Sequence, residues 1–159
     1  MLREWWTKRS EKEFIKKSQC YVDHYSKYGL VDPSSNRAWM VDGEMTLGEN
    51  LADNGGLKLA FTAWKNTQKL TESTEESNWS LPVAKGMSLN KDQLFFAAFA
   101  QIWCSAIRPE MAVYAISNDV HALPKVRVLG SVSNSFEFAS AYQCKKGQRM
   151  NPEDKCQLW

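Results

Sequence analysis

Gly48-Glu49-Asn50-Leu51-Ala52-Asp53-Asn54-Gly55-Gly56 sets two carboxylates four residues apart at the head of an expected helix. Thr46 followed by Glu49 is an S/T-x-x-E capping pattern, and Leu57, Ala60, Phe61 and Trp64 continue the helical spacing to about Lys69. Side chains four apart share one helix face, so Glu49 and Asp53 can converge on one object. One reading of the pair is local: Glu49 is the third-position acid of the cap and Asp53 a first-turn acid favoured by the helix dipole. The other is chemical: Glu49 is a zinc ligand and Asp53 the acceptor for the free ring N–H of a metal-bound histidine. Gly55-Gly56 inside the helix costs about 1 kcal/mol of propensity per glycine, which calls for a reason such as close packing.

Outward from this segment, Phe14, Tyr21, Val22, Tyr25 and Tyr28 follow helical spacing and predict a helix from about Arg3 to Tyr28, stopped by Gly29. Val31 to Gly43, with Pro33, Ser34, Ser35 and Asn36, reads as an irregular connection. Thr71 to Asn90 is polar, with Pro82 and Gly86, and reads as a long loop, because the apolar stretches on either side need each other to make a core. Asn90-Lys91-Asp92-Gln93 resembles a capping box ahead of Leu94 to Ile107, which is apolar on nearly all sides and predicts a buried central helix. Arg108-Pro109 ends that helix or restarts a short one. Val120 to Val132 reads as irregular, with a short strand at Val126 to Leu129, and Asn134 with Glu137 opens a last helix towards Cys144.

The chain has 159 residues, the length of one domain, and 43% apolar with 24% charged residues describes a chain that folds around one core. A net charge of +2 supplies no field for gripping a phosphate backbone, so nucleic acid is a poor partner. The longest apolar run, Leu94 to Ala100, is far short of the ~18 residues a membrane span needs, and Met1 to Trp6 leads straight into charged residues with no apolar signal core.

Cys20, Cys104, Cys144 and Cys156 contain no C-x-x-C pair, which disfavours a structural zinc ribbon and favours disulfides, with three connectivities open. Asn78-Trp79-Ser80 is a sequon in a polar stretch and a glycosylation candidate at Asn78. Together they tilt the chain towards an oxidising compartment.

The nine residues from Gly48 to Gly56 resemble the G-E-N-x-A-D-N-G-G signature of the neprilysin and endothelin-converting-enzyme type of zinc metallopeptidases. The resemblance continues through Trp5-Trp6, Ser18-Gln19-Cys20, Phe95-Phe96, Phe99-Ala100-Gln101, Trp103-Cys104, Asp119-Val120-His121, Arg127-Val128-Leu129-Gly130, Asn134, Phe138 and Met150-Asn151-Pro152 to Cys156 and Trp159. It implies a mainly α fold, the C-terminal helical portion of a thermolysin-like zinc metallopeptidase catalytic domain, with long loops and little strand. Residues 1–159 would then be a single unit, incomplete on its N-terminal side.

The resemblance implies that Glu49 is the third ligand of a Zn2+ cofactor and that Asp53 orients a metal-bound histidine. It casts His121 as a donor to the oxyanion that develops in the transition state, and Arg127 as a donor to a substrate backbone carbonyl. The Ser-Pro common after this histidine in relatives is Ala122-Leu123-Pro124 here, with the His-to-Arg spacing kept. By the same resemblance Cys20 pairs with Cys156, whereas Cys104 and Cys144 match cysteines whose partners lie near the start of the family's ectodomain.

Read without the family, His121 is a surface histidine, Arg127 a salt-bridge partner, and His24 a partly exposed helical histidine. The family's H-E-x-x-H helix, two histidine ligands plus the glutamate that activates water, has no counterpart, because His24 and His121 are the chain's only histidines. A catalytic zinc needs three protein ligands and an open position, so weak zinc binding by this chain alone is expected.

The function this implies is the C-terminal segment of a zinc metalloendopeptidase in an extracellular or cell-surface ectodomain. Its expected partners are peptide substrates and the upstream part of the same catalytic domain. The competing readings are a non-catalytic peptide-binding or decoy module, and a disulfide-tied structural module whose signature residues only cap and pack.

Overall fold

The computed structural model describes residues 4–71 and 79–158. Among the described residues six helices and two short hairpins follow one another as α1 Lys8–Tyr25, β1 Gly29–Val31, β2 Ala38–Met40, α2 Leu47–Thr71, β3 Ser80–Ala84, β4 Met87–Asn90, α3 Lys91–Ile102, α4 Pro109–Asn118, α5 Pro124–Asn134 and α6 Phe136–Ala141. The fold is mainly α, with little strand.

The 25-residue α2, about 37 Å long at 1.5 Å per residue, runs through both halves of the core. Leu51 in its first turns joins Tyr21, Tyr25, Val41, Ile116, Ala122, Val126, Cys156 and Leu158 in one cluster. Leu57 and Phe61, further along, join Phe96 and Val132 in the other, flanked by Trp64, Phe95, Phe99 and Phe138. The tail returns to α1 through the Cys20–Cys156 disulfide, the pairing that the family resemblance implies. Tyr21 reinforces that closure by donating its hydroxyl to the Cys156 carbonyl at 3.1 Å. Cys104 and Cys144 are free thiols, not paired with each other.

Several boundaries differ from the sequence reading. Helix α1 starts at Lys8, not Arg3, because Thr7 caps it by accepting the Ser10 N–H. The supposed irregular segment after it is the hairpin β1–β2, with Leu30 opposite Trp39 and a turn in which Ser34 and Ser35 donate to the Asp32 carboxylate. Part of the expected long loop is the hairpin β3–β4, whose turn uses Gly86 at φ 74°, a left-handed conformation suited to glycine. The glycosylation candidate Asn78 lies outside the described residues.

The Asn90 capping box is present, but α3 stops at Ile102 and buries only Phe96 fully, leaving Ile102 74% exposed. It is a half-covered helix: the β3–β4 hairpin, α5 and α6 pack against it, and Phe61 and Trp64 of α2 meet its Phe95 and Phe96. The segment expected to hold a strand at Val126 to Leu129 is helix α5, started by Pro124 at a position where its missing N–H costs nothing. The β-branched Val126, Val128 and Val132 suggest strand locally, yet Val126 and Gly130, four apart, face one core as helical spacing requires. Asn134 ends α5, and Ser135 is the residue that caps α6, accepting from the Phe138 N–H.

Candidate functional site

Glu49 and Asp53 lie on successive turns of α2 and face the loop 119–123 and the first turn of α5. The local capping reading of Glu49 does not describe its contacts. The Thr46 N–H goes to the Asp42 carbonyl, and the Thr46 hydroxyl donates there too while accepting from the Asn50 side chain. The Glu49 carboxylate instead lies 3.3 Å from Nε2 of His121. The other ring nitrogen, Nδ1, is 2.8 Å from Asp119 Oδ1, which also accepts the His121 backbone N–H at 2.9 Å. The imidazole is thus held between two carboxylates on an exposed loop. These donations, the backbone one first, hold the Asp119 carboxyl below its ordinary range.

Asp53 is engaged by Arg127, whose Nε and Nη2 each donate to one carboxylate oxygen at 2.7 Å. Both side chains are largely covered, 11% exposed for Asp53 and 14% for Arg127, so this fork is far better shielded from water than the Glu49–His121 contact at about 40%. The Trp103 ring lies under the guanidinium, 3.8 Å from its centre. The hydrogen bonds that Arg127 donates to Asp53 lead the causes that raise its pKa above the ordinary value. With one edge spent on Asp53 and one face on Trp103, Arg127 keeps its Nη1 edge for another acceptor.

The four residues singled out in the sequence therefore meet at one place, brought there by α2, the α4–α5 loop and α5. Arg127 sits on a helix and not in an irregular loop. Trp103 and Asp119 carry contacts that sequence reasoning assigned to neither. The two-residue spacing from Asp119 to His121 was a legible signal, since an aspartate often turns to the backbone two residues on. Nothing local marks Trp103, which arrives from the end of α3. His24 faces the Gly130 carbonyl and the Ser133 hydroxyl at 3.3 and 3.2 Å, away from this site. Gly55 is buried, whereas Gly56 has open space where a side chain would go and nothing in the structure explains it.

A zinc ion does not fit these donors alone. Among the described residues no group of three His, Cys, Asp or Glu side chains can hold a metal. Both oxygens of Asp53 already accept from Arg127, and the one imidazole nearby has its two nitrogens on carboxylates. No catalytic step through a metal follows from this chain by itself. Among the described residues no helix is long and apolar enough to cross a membrane.

The sequence model of "Peptidase family M13" matches residues 1–158. Neprilysin from Oryctolagus cuniculus and from Homo sapiens are each 42% identical over 158 residues, covering 99% of this chain and 20% of theirs. Endothelin-converting enzyme 1 from Cavia porcellus is 41% identical over 158 residues, covering 99% of this chain and 19% of its own. The chain spans about a fifth of the length of the curated relatives it matches. Among solved structures, the zinc metalloprotease ZMP1 of Mycobacterium tuberculosis in complex with an inhibitor superposes with a TM-score of 0.79. It is 27% identical to this chain, and the match covers 98% of this chain and 23% of that one.

Proposed function

The chain belongs to peptidase family M13, a zinc metallopeptidase family, and we propose that it is one part of a metalloendopeptidase catalytic domain. In this reading residues 1–159 form a single unit that is completed by an upstream half carrying H-E-x-x-H. Glu49 is its one zinc donor, Asp53 an orienting carboxylate, His121 the donor to a developing oxyanion and Arg127 the donor to a peptide carbonyl. The observation that carries the proposal is the Asp53–Arg127 fork at 2.7 Å beside the Glu49–His121 pair, two carboxylates and two cationic or hydrogen-bonding groups gathered from three segments.

The contacts support this division of labour. Arg127 is immobilised on one edge and one face, so its remaining N–H groups present a fixed direction to a substrate carbonyl. A carboxylate has about four lone-pair sites, so Asp53 can hold Arg127 and still accept from a further ring N–H. Glu49 is half exposed and gives up little by exchanging His121 for a stronger partner. His121 would then keep Asp119 as its orienting acceptor, leaving Nε2 to donate to substrate. The Cys20–Cys156 disulfide supports an extracellular or cell-surface setting.

The test is a graft of this chain in place of the corresponding segment of human neprilysin. The expected result is one bound zinc per molecule and hydrolysis of a short apolar peptide. Glu49→Ala should remove the metal, and Arg127→Ala should lower kcat/KM on the order of 100-fold while leaving zinc bound. Full zinc occupancy in the Glu49→Ala graft would refute the assignment. Because both carboxylates are already paired within this chain, the competing reading is a non-catalytic peptide-binding module. That reading expects peptide binding without metal or turnover in the graft.

A further inference from the structure

A ring of directional hydrogen bonds lies directly behind the Asp53–Arg127 fork. Asn134 on α5 donates through Nδ2 to Oδ1 of Asn54 on α2 at 3.2 Å. Asn54 donates in turn to the Tyr25 hydroxyl of α1 at 2.8 Å, and that hydroxyl lies 3.3 Å from the Ser131 hydroxyl back on α5. Tyr25 accepts from Asn54, either hydroxyl can donate in its contact with Ser131, and the circuit closes through three helices. Asn54 spends its second N–H on the Asn50 carbonyl at 2.7 Å, and Asn134 spends its second on the Gly130 carbonyl at 3.3 Å. The remaining acceptor, Oδ1 of Asn134, receives the Cys156 N–H at 2.9 Å, which ties the disulfide-bonded tail into the ring. Tyr25 is 0% exposed and Asn134 8%, so the bonds to Ser131, Gly130 and Cys156 form away from water, and those of Asn54 are partly covered.

We infer that Asn54 and Asn134 are positioning residues for the Asp53–Arg127 fork, an inference that rests on the proposed role of that fork in a peptidase site. Asp53 directly precedes Asn54, and Arg127 stands seven residues, about two turns, before Asn134 on α5. The apolar contacts between α2 and α5 are non-directional and tolerate sliding. An amide with distinct donor and acceptor ends pairs in one register only, and here every donor and acceptor of both amides is used. The ring therefore fixes how far α5 lies along α2, and with it the two 2.7 Å distances of the fork. Neither asparagine touches the guanidinium or the carboxylate, so their action is through helix register.

The experiment follows hydrogen exchange at the Arg127 Nε–H by NMR in arginine-labelled protein. Asn134→Asp keeps the acceptor for the Cys156 N–H and removes the donors to Asn54 and to the Gly130 carbonyl. Asn54→Ala serves as a second variant acting from the other side of the ring. Phe61→Leu, in the other core cluster, is the control, read at a denaturant concentration where its unfolding free energy equals that of the asparagine variants. The expected result is exchange at Arg127 faster on the order of ten-fold in both asparagine variants and unchanged in the control. Equal acceleration in the control, or none in Asn134→Asp, would overturn the inference. Failure of the peptidase reading is seen separately, as a neprilysin graft without turnover whose Arg127 signal remains protected.

Discussion

The cluster around Tyr25 carries buried polar groups beside its apolar side chains and is covalently closed, whereas the cluster around Phe96 is aromatic inside and open on its outer face. In the first, α1, α2, α5 and the tail are joined by the disulfide, the asparagine ring and the Lys155 ammonium on the Ser133 carbonyl. In the second, Phe61 stacks on Phe96 at 5.1 Å and Phe95, Trp64 and Phe138 pack around them, but Leu70, Leu81, Met87 and Ile102 stay exposed. The polar cluster fixes a geometry, and it is the one that holds the Asp53–Arg127 fork. The aromatic cluster supplies burial, and its uncovered rim is the kind of apolar surface that seeks a partner.

The largest expected break in this contrast is removal of the covalent closure. Cys20 and Cys156 are 136 residues apart, and a loop of that length is worth about 5 kcal/mol in the chain-entropy account. Cys156→Ser should shift the urea unfolding midpoint accordingly and collapse the polar cluster first, seen as early loss of amide protection in α1. A smaller break is Gly130→Ala. Its methyl would fall 2.5 Å from the Tyr25 ring, which has nowhere to go, and overpacking of this kind costs about 1–3 kcal/mol. Equilibrium unfolding measures it, and an unchanged midpoint would mean that α1 is not seated on α5 as described.

Acid sharpens the contrast further. Burial is the leading cause that lowers the His24 pKa, against which the Gly130 carbonyl acts and to which Lys27 and Lys155 add. The unfolded chain therefore takes up the proton first as pH falls below about 6.5, and stability declines from there until pH passes the lower folded value. Unfolding midpoints measured from pH 7.5 down to 5 should fall, and His24→Gln should flatten that slope. The smallest expected effect is on the open rim, where Ile102→Ser should change stability by less than about 0.5 kcal/mol while reducing self-association measured by sedimentation.

Much of the helical frame was legible in the residues. Thr46 to Lys69 carried its own periodicity, Asn90-Lys91-Asp92-Gln93 its own cap, and both helices begin where those signals stand. The misreadings fell where local preference and tertiary burial disagree. Val126 and Val128 favour strand by shape, but Tyr25, Leu51 and Ile116 offer a helix-spaced core for α5 to cover. The polar run before Asn90 hid a hairpin because its alternating apolar pairs, Leu81 with Val83 and Met87 with Leu89, are short and the first is interrupted by Pro82.

By itself, then, the sequence determined which side chains this protein can bring to chemistry, since the spacing of Glu49 and Asp53 on one helix is a property of covalent geometry. It also fixed that His121 and Arg127 lie six residues apart. Only the tertiary structure decided that Arg127 closes on Asp53, that Trp103 lies beneath it and that His121 turns to Glu49. Those pairings depend on helix register across α1, α2 and α5, and register is set by partly buried directional bonds between residues more than 70 positions apart, such as Asn54 and Asn134.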